Sequence, residues 1–170
     1  DDMETAYDDA KYGRFSRKPY IDMIIPTLVD PSMAPPGKHV ISCFVQYAPY
    51  KLAPELGTWD DQHEAFGDAV IDRIAEFAPN IRDVILHRNV QTPLDIERTT
   101  GLTEGNIFQG ELSLEQLFFN RPVPGYARFR TPVRDLWLCG SATHPGGGIM
   151  GANGRIAALE VLRARGRKAA

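Results

Sequence analysis

Leu136-Trp137-Leu138-Cys139-Gly140-Ser141-Ala142-Thr143-His144-Pro145-Gly146-Gly147-Gly148-Ile149-Met150-Gly151-Ala152-Asn153-Gly154 is the stretch on which the reading turns. Its first four residues form an unbroken apolar run, the pattern of a short buried strand. Five of the chain's 15 glycines then fall between positions 140 and 151. After them Ala152, Ile156, Leu159 and Leu162 recur at helical spacing. The spacing predicts a helix from about Gly151 to Arg165, closed by Gly166. Glycine lets the backbone enter φ > 0 and lets a ligand touch the main chain. A helix N-terminus adds unpaired N–H groups and partial positive charge. Strand, Gly-rich loop and helix together make a receptor for an electron-rich group. The bland alternative, a tight turn with no ligand, leaves so many glycines without a use.

Three other ligand chemistries fit this stretch poorly. Gly146-Gly147-Gly148-Ile149-Met150-Gly151 formally matches GxGxxG. A dinucleotide fingerprint, however, places its first glycine at the strand end and an acidic residue ~20 positions on, after a second strand. Here Gly140 ends the strand and the chain stops before a second one. His144-Pro145-Gly146-Gly147-Gly148 has the look of a lipase oxyanion loop, yet none of the five serines sits in GxSxG. A hydrolase built on His144 therefore lacks a nucleophile. No GxxxxGK[ST] occurs, which removes P-loop chemistry.

Upstream, residues 1–19 are charged and read as a polar start, either a severed helix or flexible, with weak helical character over Met3–Lys11. Ile21, Met23 and Ile25 alternate with polar or opposite-facing residues, which predicts a strand ending at Pro26. His39–Tyr47 predicts a second strand, with Ile41, Cys43, Val45 and Tyr47 on one face. The two should pair as an antiparallel unit with a long loop. Asp60 or Asp61 can cap a helix carrying Phe66, Val70, Ile74 and Phe77. Val84, Leu86 and Val90 predict a third strand. Thr92-Pro93-Leu94-Asp95 reads as a helix start with a capping box, and Gly101 ends that helix. Ser113 to Gln116 offers a second box for a short turn. The whole is an α+β chain: a mostly antiparallel or mixed sheet with packed helices, followed by a strand, Gly-rich loop and helix.

Composition bounds the function classes. With 43% hydrophobic and 24% charged residues over 170 positions, the chain can bury a core. Its apolar runs, such as Met23-Ile24-Ile25, fall far short of the ~20 residues that span a bilayer. A net charge of −3 disfavours nucleic acid as a partner. The four histidines and two cysteines have no metal-ligand spacing, so no metal is expected. Cys43 and Cys139 sit in apolar runs and read as buried small hydrophobes, and a cytoplasmic location is the default. The chain opens Asp1-Asp2-Met3 and ends soon after the Gly-rich stretch, which reads as a piece of a larger protein.

The 136–154 stretch resembles the C-terminal flavin segment of phytoene dehydrogenase-like oxidoreductases, FAD enzymes related to carotenoid desaturases and more distantly to amine oxidases. Gly105-Asn106-Ile107-Phe108-Gln109-Gly110 through Phe118-Phe119-Asn120-Arg121-Pro122 is similar to the same family. So is Ala34-Pro35-Pro36-Gly37-Lys38-His39 leading into Gln46-Tyr47-Ala48-Pro49-Tyr50. The likeness covers nearly the whole chain. It implies that residues 20–91 belong to a substrate-domain part and 92–170 to the returning FAD-binding segment. It implies a partner, the N-terminal Rossmann-type half that holds the ADP portion of FAD, without which the chain is inactive. Gly140 and Ser141 would approach the pyrophosphate and ribityl chain. Gly147, Gly148, Ile149 and Met150 would place backbone N–H groups near the flavin pyrimidine ring.

His144 either lines the flavin or packs in the loop, and Met150 and Asn153 either face the flavin or belong to a packed first turn. Gly154 and Ala158 would allow close helix packing, Arg155 would pair with a surface carboxylate, and Phe118-Phe119 would be core. Amine oxidases often carry Glu where Ser141 stands, so desaturation or related oxidation of a small hydrophobic substrate is favoured over amine chemistry. Hydride transfer to flavin requires no protein acid or base, so no catalytic residue is named. A free-standing interaction module with the same fold is the alternative. Apolar surface that would meet the flavin domain should drive self-association of the chain alone.

Overall fold

The computed structural model describes residues 2–110, 113–148 and 150–166, the side chain of Phe118 excepted. The chain divides after Thr99 into two compact units. It is an α+β fold with five α-helices and a two-stranded antiparallel sheet among the described residues.

The first unit begins with helix α1, Asp2–Lys11, whose Ala6 is fully buried. Strands β1, Tyr20–Ile24, and β2, Ser42–Gln46, pair antiparallel with Ile21 opposite Val45 and Met23 opposite Cys43. The pairing follows the alternation. Cys43 and Val45 are half-buried, whereas Ser42 and Phe44 on the other face are exposed. Helix α2, Trp59–Ala75, supplies the centre of the core. Its Trp59 and Phe66 pack with Leu52, against Phe15, Val45, Val90 and Leu94. The Trp59 and Phe66 rings meet edge-on at 5.3 Å, a favoured quadrupole geometry. Trp59 also donates its indole N–H to Pro49 O at 3.0 Å. The core thus holds its one polar aromatic atom by a hydrogen bond rather than stranding it.

The α2 cap differs from expectation. Thr58, not an aspartate, occupies the N-cap, and Asp61 reaches back to accept from its N–H at 2.9 Å and its hydroxyl at 2.7 Å. Asp60 is drawn away to Arg98. The helix stops at Ala75, so Phe77 lies beyond it, exposed beneath the Arg73 guanidinium.

The third strand does not form. Residues Ile81–Val84 make a single helical turn, α3, and 85–92 run extended without a strand partner. The local chemistry explains this. Arg88 pairs with Glu64 and Asp68 on α2, and Val90 O meets the His63 imidazole at 3.0 Å. The segment is therefore laid along the helix instead of on the sheet. Gly67 permits the close approach, because a Cβ there would stand 2.6 Å from Val90 Cγ2. Helix α4, Pro93–Thr100, starts as expected: Asp95 accepts from Thr92 N–H at 2.9 Å and donates its own N–H to Thr92 Oγ1 at 3.2 Å.

The second unit is mostly turns, plus helix α5, Ala152–Ala164. The box at Ser113 is not made. Ser113 gives no side-chain cap, and Gln116 turns to Pro122 O at 3.3 Å. The Leu136–Cys139 run makes one antiparallel bridge, Arg130 to Trp137, in place of a buried strand. Leu136 and Leu138 are 50% and 45% exposed, and Cys139 is exposed rather than buried. Cys43 is half-buried, and its burial pushes the thiol pKa up. Gly154 faces open space and Ala158 is exposed, so no helix packs there among the described residues. No described helix is long and apolar enough to cross a membrane.

Candidate cofactor site

The site is built by how the Gly-rich loop is fastened to α5. Gly140, at φ +107°, turns the chain out of the Leu136–Cys139 run, a backbone setting that a side chain rarely adopts. Its carbonyl accepts from Thr143 N at 3.0 Å, Thr143 Oγ1 at 2.8 Å and Asn153 Nδ2 at 2.8 Å. The Thr143 carbonyl in turn accepts from Asn153 Nδ2 at 3.0 Å and Gly146 N at 2.7 Å. Thr143 is 1% exposed and Asn153 7%. One amide group on the first turn of α5 therefore ties together two carbonyls of the loop. A buried carboxamide is retained only with such partners.

The Gly140, Ala142 and Thr143 carbonyls are occupied, whereas several donors of the loop are not. The N–H groups of Ser141, Ala142, Gly147 and Gly148 find no acceptor among the described residues. Helix α5 starts at Gly151, which sits in the left-handed region at φ +64° and has no side chain to cap the first turn. Its free N–H groups keep their partial positive charge. Around Gly140 and Gly151 the space where a Cβ would stand is empty to 4 Å. Free donors and open glycine surfaces fit an electron-rich, planar or anionic group.

Of the expected site residues, Gly140, Ser141, His144, Gly147, Gly148 and Met150 lie on this loop and Asn153 on the first turn of α5. Ser141 is half-buried, and a Cβ on Gly147 would lie 3.6 Å from its own. Met150 is exposed, with its Cε 2.6 Å from the Cβ position of Gly148, so the thioether folds back over that glycine. His144 is half-buried between Thr143 and Pro145. Asn153 uses its amide nitrogen on the loop itself. Ile149 lies outside the described residues.

Two residues of the site carried no clear sequence signal. Thr143 is one. The other is Arg121, which is 2% exposed although charged. Its Nε donates to Ala142 O at 3.2 Å and its Nη2 to Phe108 O. Phe108 is presented by an Asx turn, with Phe108 N on Asn106 Oδ1 at 2.9 Å. An arginine beside an apolar pair, Phe118-Phe119, and before Pro122 was the available hint. A cavity of about 580 Å³ lies over the same turn-rich segment, lined by Leu102, Glu104, Asn106 and Gln109. It takes no residue of the Gly-rich loop. No cluster of metal-ligating side chains occurs among the described residues.

No protein-family model matches the chain. Individual proteins do. Over 162 residues, 95% of the chain, it is 49% identical to pyridine nucleotide-disulfide oxidoreductase domain-containing protein 2 of Rattus norvegicus. It is 32% identical over 148 residues to a component of the limonene dehydrogenase of Castellaniella defragrans, covering 82% of the chain. It is 31% identical over 131 residues to the lycopene-forming phytoene desaturase of Pseudescherichia vulneris, covering 74%. The chain belongs to the phytoene dehydrogenase-like oxidoreductase family. It spans 28%, 26% and 25% of the length of these three relatives, respectively. The relatives are named as an oxidoreductase domain-containing protein, a dehydrogenase and a desaturase.

Proposed function

We propose that this chain supplies the isoalloxazine and ribityl side of the FAD site in an oxidoreductase of dehydrogenase or desaturase type. The observation that carries the reading is the pattern at the Gly-rich loop: the Gly140, Ala142 and Thr143 carbonyls are bonded inside the chain, while the N–H groups of Ser141, Ala142, Gly147 and Gly148 find no acceptor among the described residues. Gly140 and Ser141 are assigned to the pyrophosphate and ribityl chain. Gly147, Gly148, Ile149 and Met150 are assigned to the flavin pyrimidine edge. Bound flavin supplies the two-electron acceptor. The chain's own part is to position it and to bias its charge, since the N-terminal end of α5 favours negative charge nearby. His144 and Asn153 support the loop beside it.

Residues 20–91 are assigned to the substrate-domain part and 92–170 to the flavin segment. The ADP half of the cofactor falls to an N-terminal Rossmann-type region, and the chain alone is inactive. The substrate is a small apolar molecule, in keeping with the hydrocarbons phytoene and limonene in the relatives' names. Free thiols at Cys43 and at exposed Cys139 fit a reducing compartment such as the cytoplasm. The exposed Leu136 and Leu138 fit a strand whose neighbours come from elsewhere in a longer polypeptide.

Expression of the complete reading frame tests this. Flavin absorbance that co-purifies with the folded protein is expected. A folded, colourless product that takes up no added FAD would refute the reading. The apolar side chains Leu28, Val29 and Leu114, 70%, 91% and 81% exposed, favour self-association of the chain by itself. Light scattering that gives a monomer at high concentration would remove that expectation.

A further inference from the structure

Arg121 is a buried cation whose charge the described part of the chain does not neutralise. It is 2% exposed. Burying a guanidinium is costly unless an anion or a full set of acceptors meets it. A guanidinium has five N–H donors. Two are used, on Ala142 O and Phe108 O, which leaves three without an acceptor among the described residues. Both acceptors are neutral carbonyls, and no described carboxylate pairs with Arg121. The two Nη1 donors are among those left. Nη1 lies 3.8 Å from the point where a Cβ on Gly146 would stand. The guanidinium is therefore held against the Gly-rich loop, between Ala142 and Gly146. The N–H groups of Ser141, Ala142, Gly147 and Gly148, which find no acceptor among the described residues, lie at or close beside these two positions. Arginine's planar fork suits this double task, with one edge on carbonyls and the other toward an anion.

We infer that Arg121 is a positioning residue that fastens the Gly-rich loop from beneath and supplies the fixed positive charge that selects an anionic diphosphate there. The inference rests on the flavin reading above and goes beyond it, because that reading requires only backbone donors. The charge acts at short range from a side chain that is only 2% exposed and held in place by two carbonyls, so its Coulomb attraction is less weakened than that of a mobile surface cation. It should therefore discriminate FAD from riboflavin, which has the same ring and no phosphate.

The test uses the full-length protein stripped of flavin, with FAD and riboflavin as probes, read by quenching of flavin fluorescence. Arg121→Gln keeps a donor for Ala142 O and removes the charge. It is expected to weaken FAD about tenfold or more and to flatten the salt dependence of FAD binding, with riboflavin affinity unchanged. Arg121→Lys keeps the charge and should recover most of the FAD affinity. Should Arg121→Gln weaken both flavins equally, the residue is a loop brace alone and the inference falls. Unchanged affinity for both flavins also overturns it. A wild-type protein that binds neither flavin refutes the FAD reading itself, a result distinct from either.

Discussion

Residues 1–99 and 100–170 treat their polar groups in opposite ways. The first unit carries 17 acidic against 10 basic residues, a net −7; the second carries 9 basic against 5 acidic, a net +4. In the first, Arg14, Arg73, Arg82, Arg88 and Arg98 each meet a carboxylate. In the second, Arg163 with Glu160 is the one ion pair among the described residues. Helices α2 and α4 are closed by Thr58 with Asp61 and by Thr92 with Asp95, while α5 opens on a bare glycine. The first unit matches most of its arginines internally, whereas the second leaves most of its arginines without a carboxylate among the described residues.

The contrast can be broken at its strongest point first. Trp59→Ala removes the ring at the centre of the first core and should cost about 3–5 kcal/mol in denaturant unfolding. A loss under about 1 kcal/mol would mean that the first unit is not held by its own core. Next is Asn153→Ala, which takes the amide from the Gly140 and Thr143 carbonyls. It should destabilise the second unit by about 1–3 kcal/mol and lower flavin retention in the full-length protein. Normal retention after that change would detach the loop's shape from its ligand. Thr92→Ala should cost about 1 kcal/mol through the lost α4 cap, with flavin retention untouched.

The smallest effect is in pH. Hydrogen bonds from Thr58 hold the Asp61 carboxyl below its usual range, and those from Thr92 do the same for Asp95. A depressed folded-state pKa adds stability above the unfolded value and loses it as pH falls. The first unit should therefore weaken progressively below about pH 4. Acid titration of Trp59 fluorescence, with Trp137→Phe to silence the other indole, reads this directly. A flat profile down to about pH 2 would remove the capping carboxylates from the account.

What could be read from the sequence was what is decided locally. The β1 and β2 alternation, the Thr92 capping box and the α5 stripe each depend on neighbours a few positions away. Their elements formed close to where the pattern placed them. Val84 to Val90 had the pattern of a strand, but Arg88 and its two carboxylates tied it to α2, and those partners lie 20 or more residues off. Leu136–Cys139 reads as buried, yet it finds a single bridge in this chain. The Gly-rich loop was recognisable from glycine density, because its residues follow one another in the chain. Arg121 and Thr143 were not, since what distinguishes them is burial against a loop that only folding brings near.

The pair of hydrogen bonds that Asn153 donates to the Gly140 and Thr143 carbonyls has a kinetic meaning. A loop so fastened to its helix has no large rearrangement left to make when a ligand arrives. Arrival should then follow the collision rate and its dependence on ionic strength, with no slow ordering phase after it. Glycine-rich segments are commonly thought of as soft. This one is rich in the most permissive residue and is still held in one form, because the side chains of Asn153 and Arg121 bond to it from outside.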